Sequence, residues 1–267
     1  KIKHVEHNGK EQSFFTILEK VGAAIGPVIG GFIAASYGAG YAIGGSIVIY
    51  GASLIPLLMT PEPVITHQHI RFRGFPYKKV WRDILAHTAR GVDMTVTAGM
   101  WPLFLVIVIF QSSQYQSVGT ITTISILIAI AATYVFGIII DKKHSLRFLR
   151  VSVIVDSLLY VCRFLSTSFG AAIATNVANE AAYTGVTMAF NKGMYDAVDD
   201  LPGYRIVYFI ILESVSEVGK LMMWALLAVL AYNLPDKSAL QICFIVTGII
   251  TLGIIVERFK ALRPNFL

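Results

Sequence analysis

The chain has 267 residues, of which 55% are hydrophobic and only 14% charged, and its formal net charge is +6. Its mean hydropathy is +0.67. Soluble domains carry about 25% charged residues, so there is too little charge here to build a water-facing shell. That argues against a soluble enzyme or a disordered regulator, and for a protein whose solvent is lipid.

Residues 1–12 are polar and hold no apolar run of the signal-peptide kind. A helix crosses the hydrocarbon core with about 20 mostly apolar residues. In chain order the stretches 13–36, 41–60, 93–112, 118–140, 147–167, 170–190, 205–232 and 238–256 meet that length. They predict an all-α integral membrane protein with eight transmembrane helices. The separators at 37–40 (YGAG), 168–170 (SFG) and 233–237 (NLPDK) are turn-like and short, which makes the flanking helices antiparallel. The longest separator, 61–92, opens with Pro-Glu-Pro and is rich in Arg, Lys and His. It reads as a basic linker, dividing the chain into 1–60, 61–92 and 93–267. Its Phe72, Phe75, Tyr77 and Trp81 fit an amphipathic helix on anionic headgroups. A β-barrel is excluded, because the segments are too long and do not alternate.

Of the 22 Lys and Arg residues, Lys20, Arg163 and Lys220 fall within spans and Lys237 in one outer loop; the rest lie in alternate loops or ends. The positive-inside rule makes that side cytoplasmic, with both ends of this chain on it, at a cell membrane. The basic balance therefore reports orientation, and no nucleic-acid partner is expected. Cys162 and Cys243 sit in apolar runs, and His67 and His69 have no third ligand nearby, so no metal or cofactor is expected.

The first span contains Gly22, Gly26, Pro27, Gly30 and Gly31. Glycines at 22, 26 and 30 share a helix face and predict close helix approach. The pattern G-x-x-x-G-P-x-x-G-G resembles the fifth-helix signature of the major facilitator superfamily, associated with its antiporter branch. A second segment, Gly137-Ile-Ile-Ile-Asp141-Lys142-Lys143 followed by Arg147, resembles the G-x-x-x-D-[RK] loop of that family between its eighth and ninth helices. Here His144, Ser145 and Leu146 stand where glycine and basic residues usually follow. The register agrees, since the long linker then joins the two halves of the transporter. The resemblance implies a partial superfamily fold: the last two helices of the N-terminal bundle and a complete C-terminal six-helix bundle. It further implies four helices ahead of Lys1 and a monomer when full length.

Charged residues at membrane depth are costly and mark functional candidates. Asn176, Asn179, Glu180 and Tyr183, with Thr184 and Thr187, are spaced to share a face. This stripe is either an interhelical polar seam or a cavity lining in which Glu180 exchanges protons. The resemblance makes this the tenth, cavity-lining helix and favours the second reading. Glu213, Glu217 and Lys220 also share a face, as a salt-bridged cluster at the inner mouth or as a substrate or proton site. Asp156 and Arg163 read as a structural pair, and Trp101-Pro102 as a bend.

These readings predict a secondary transporter of a small molecule, working by alternating access, with protons as coupling ion and export as the direction. The alternative is a proton-coupled uptake symporter for a sugar or metabolite. Further off is an integral-membrane transferase, for which Asp196, Asp199 and Asp200 supply one acidic cluster where two are needed.

Overall fold

The computed structural model describes residues 8–60, 70–110, 114–140, 145–201, 203–257 and 259. Among these residues the chain is helical throughout, with no strand. The helices are α1 (Asn8–Tyr37), α2 (Ala39–Met59), α3 (Tyr77–Ile109), α4 (Gln114–Ile139), α5 (Ser145–Leu165), α6 (Phe169–Asp199), α7 (Arg205–Asn233) and α8 (Asp236–Val256). Six of them, all but α5 and α6, contain stretches long and apolar enough to cross a membrane. The two that fall short are those richest in polar residues within the bundle. Arg147, Arg150, Asp156 and Arg163 interrupt α5, and the Asn176–Thr187 stripe lowers the hydropathy of α6.

Local signals set the ends. Gly38 adopts φ 102°, a left-handed turn between α1 and α2 that costs glycine nothing. Ser168 caps α6, its side chain accepting the amide of Ala171 at 3.3 Å. Inside α3, Pro102 has no amide to donate, and the ladder slips to π-helical turns at Val96–Met100 and Leu105–Ile109 on either side.

The expected linker differs from the structure in its second half. Helix α3 begins at Tyr77, so residues 77–92 form the start of a 33-residue helix and not a loop. Val80, Asp83, His87 and Arg90 recur at helical spacing and are all buried. The polar members of that face, which look loop-like in sequence, find partners within the bundle. Residues 61–69, including His67 and His69, lie outside the described residues, as do Asp141 and Lys142 of the loop motif. Gly137 is buried near the end of α4, and Arg147 is exposed in the first turn of α5.

Contacts fix the helix directions. Gly31, Pro27 and Ala24 of α1 meet Tyr115, Gly119 and Thr123 of α4 in reverse order, an antiparallel pair. Ser152, Asp156 and Ser166 of α5 meet Gly185, Asn179 and Thr175 of α6 in the same sense. Helix α3 runs antiparallel to α6, through Arg90–Thr187 and Trp101–Asn176, and parallel to α7. One apolar cluster, including Phe75, Phe190, Tyr208 and Phe259, therefore packs helices together toward the end carrying the basic segments. A second closes the opposite end, where Trp101 and Phe104 stack and both abut Phe244 edge-on. Helix α2 packs on α1, and no residue of its apolar window is buried.

The tight α1–α4 contact uses only part of the glycine-rich motif. A Cβ on Gly31 would stand 2.5 Å from the Tyr115 carbonyl oxygen, and one on Gly119 would strike the Pro27 carbonyl. At Gly22, Gly26 and Gly30 a Cβ would meet nothing within 4 Å. Within the described residues nothing meets the 22/26/30 face, and the helices meet on the face of Lys20, Ala24, Pro27 and Gly31.

A candidate functional cavity between five helices

Three helices bring a buried polar network together. On α3, Arg90, Asp93 and Thr97 are spaced three and four apart and so share one face. Asp93 accepts hydrogen bonds from Arg90 and, at 2.6 Å, from the Tyr160 hydroxyl of α5. Arg90 also donates to Thr187 Oγ1 and lies 4.2 Å from the centre of the Tyr183 ring, both on α6. Such stacking suits a delocalised guanidinium better than an ammonium.

Asn179 completes the network. Its Nδ2 donates to Asp156 Oδ1 at 2.8 Å, and its Oδ1 accepts from Arg163. Arg163 further donates to Thr97 Oγ1 at 3.2 Å and sits over the rings of Trp101 and Tyr160, about 5 Å from each centroid. The expected Asp156–Arg163 pair is therefore bridged by Asn179 and not in direct contact. Asp93, Asp156 and Arg163 are each 0% exposed. Two aspartates and two arginines thus share one buried network, Arg90 paired directly with Asp93 and Arg163 joined to Asp156 through Asn179. Asp156 Oδ2 and Arg163 Nε have no hydrogen-bond partner.

Beside the network lies a cavity of about 320 Å³. Ile126, midway along α4, forms one side. The other walls come from the early part of α1 (Thr16, Lys20), of α3 (His87, Arg90) and of α7 (Glu213, Ser216), and from α6 residues between Glu180 and Tyr195. The helix directions put all of these toward the end of the bundle that carries the basic segments. The apolar cluster around Trp101 lies beyond, toward the other end.

Lys20 and Glu180 meet at 2.5 Å across this cavity wall, with side chains 12% and 20% exposed. Glu213 lines the same space, 3.8 Å from His87 Nε2. Of the predicted polar stripe, Glu180, Tyr183, Thr184 and Thr187 line the cavity, whereas Asn179 turns into the buried network. Asn176 accepts from Trp101 Nε1 and donates to Ser125 Oγ on α4, both at 2.7 Å, and so acts as a clamp between helices. The α7 trio divides. Glu217 and Lys220 pair with one another at 2.6 Å on a more exposed surface, and neither lines the cavity.

Sequence reading missed Arg90, Asp93 and Lys20 as site residues. The available signal was Arg90-x-x-Asp93-x-x-x-Thr97, a polar helical face running into an apolar span. Asp196 lies in the last turn of α6 and Asp200 caps it, so part of that acidic cluster belongs to a helix end. No protein-family model matches the chain, and no curated protein matches its sequence.

Proposed function

We propose that this chain spans the membrane eight times and is the major part of a secondary transporter of the major facilitator type. It moves a small molecule by alternating access, in exchange for protons and in the direction of export. Helices α1 and α2 belong to one half, and α3 to α8 form the other. The basic end of the bundle faces the cytoplasm, which makes the cavity inward-open and the Trp101 cluster the closed outer gate.

One observation carries the reading. A charged cavity of about 320 Å³ lies between α1, α3, α4, α6 and α7, among helices most of which are long and apolar enough to cross a membrane. Ionisable groups at membrane depth collect along solute and ion pathways. Sites at the interface of two rocking halves are the general arrangement in this kind of transporter. The Lys20–Glu180 contact joins helices that the sequence resemblance assigns to opposite halves, as a contact made and broken in each cycle requires.

The test is reconstitution of the full-length gene product in proteoliposomes with a trapped pH indicator, challenged with a solute panel under an imposed proton gradient. Solute-dependent proton movement opposite to solute flux supports export by antiport. Co-directional movement establishes the symporter instead. Absence of any solute-linked flux, in liposomes where the protein is folded and inserted, contradicts the transporter reading.

A further inference from the structure

Resting on that transporter reading, the charge pattern of the cavity narrows the cargo. We infer that the Lys20–Glu180 pair is the binding site for a zwitterionic amino-acid-like solute, whose carboxylate engages Lys20 and whose ammonium engages Glu180.

The cavity is lined by three carboxylates (Glu19, Glu180 and Glu213), two permanent cations (Lys20 and Arg90) and His87. Arg90 is already committed to Asp93, Thr187 and the Tyr183 ring. Among the described residues, the Lys20 and Glu180 side chains bond only to each other, at 2.5 Å, and keep part of their surface open to the cavity. A solute carrying a single charge gains one partner but strands the other member of the pair in a partly dry wall. A neutral sugar has to compete with the ion pair for the same atoms. A zwitterion inserts between them and exchanges one ion pair for two, leaving no charge uncompensated.

The rest of the wall supplies the remaining contacts. Ala23, Met94, Ile126 and Met194 give an apolar surface beside the pair. Flexible methionines adapt to side chains of different shape. The cavity volume lies at the low end of the range for small-molecule sites. Together these favour medium-sized apolar amino acids over peptides or polycyclic compounds.

The pair also lies where binding can be coupled to movement. Lys20 and Glu180 sit on α1 and α6, so a solute held between them bridges the two proposed halves and replaces a contact that otherwise locks them.

The experiment uses the full-length gene product in lipid nanodiscs, with L-leucine, L-methionine and L-phenylalanine as probes in thermal-shift and calorimetric titrations. Leucine methyl ester keeps only the positive charge, and N-acetyl-leucine only the negative. The expected result is saturable binding of at least one free amino acid and a loss of at least about tenfold for both capped forms. Lys20→Met is expected to weaken the free amino acid while leaving the methyl ester within about threefold of its own value, and Glu180→Gln to do the converse with N-acetyl-leucine. A site of purely structural importance does not produce that mirror pattern. The neutral double variant Lys20→Met/Glu180→Gln leaves no unpaired charge, and it is expected to melt like the parent while losing the preference for the zwitterion.

Equal binding of free and capped forms, uniform weakening by both single variants, or no binding by any of the three amino acids overturns the inference. Proton-linked flux of a sugar or a singly charged solute, with no amino-acid binding, overturns it and leaves the transporter reading standing. Amino-acid binding with the mirror pattern but without flux keeps the site and removes transport.

Discussion

Asn179 donates its amide hydrogen to Asp156 at 2.8 Å while the oxygen of the same amide accepts from Arg163. One neutral side chain thus stands between a fully buried aspartate and a fully buried arginine and bonds to both. Its removal has a predictable cost. Asn179→Leu leaves an aspartate and an arginine with unmet hydrogen-bonding groups, and is expected to destabilise by about 2–4 kcal/mol. Denaturant titration of the purified protein in detergent checks this, and an unchanged midpoint contradicts the bridging role.

Arg90 and Asp93 are coupled more strongly, because both are buried and they pair with each other directly. Arg90→Met and Asp93→Leu are each expected to cost about 3–5 kcal/mol by stranding the partner, while the double variant costs less than either. A double-mutant cycle on unfolding free energies measures the coupling. Additive losses show that the two residues act independently.

The α1–α4 contact makes a sharp distinction between glycines. Gly31→Val drives a side chain into the Tyr115 carbonyl and is expected to lose about 1–3 kcal/mol. Gly26→Val meets open space within this chain and is expected to change its stability by less than about 0.5 kcal/mol. Paired thermal melts decide the matter, and the reverse order of sensitivity contradicts the described helix face.

Asn176 ties the bend region of α3 to α4, through Trp101 and Ser125. Asn176→Leu leaves the buried Trp101 N–H without its acceptor, at an expected cost of about 1–3 kcal/mol. Trp101→Phe removes the donor as well as part of the packing, so Asn176→Leu in that background is expected to cost clearly less. Full additivity of the two losses, read from melting curves, contradicts the pairing.

The helices themselves were legible in the sequence, because apolar length and turn residues such as Gly38 are local signals. The start of α3 was not legible. Asp83, His87 and Arg90 look like solvent-facing charge until their partners are known, and the partners from other helices lie on α6 and α7. The candidate site was legible by half. The Asn176–Thr187 stripe declared a polar face on α6, but its period cannot say that Asn179 turns to Asp156 while Glu180 turns to Lys20. Two residues one position apart are separated by about 100° around the helix, and only the neighbouring helices decide what each meets. The glycine-rich pattern predicts a close approach on the 22/26/30 face, whereas the α1–α4 contact falls on Pro27 and Gly31. Glu213, Glu217 and Lys220 have the spacing of one cluster, but tertiary packing leaves Glu213 in the cavity and the other two outside it.

The central claim is that the cavity opens to the basic face of the bundle and changes sides during transport. Asn191 lines it, while the native thiols are Cys162, exposed, and Cys243, buried. The direct measurement is the rate at which a membrane-impermeant maleimide modifies Asn191→Cys in a Cys162→Ser/Cys243→Ala background, compared in sealed vesicles of the two orientations. The account predicts rapid modification only where the basic face is exposed to the reagent, and a change in that rate when a transported solute is present on both sides. Equal modification from both faces, or a rate that no solute alters, would contradict it.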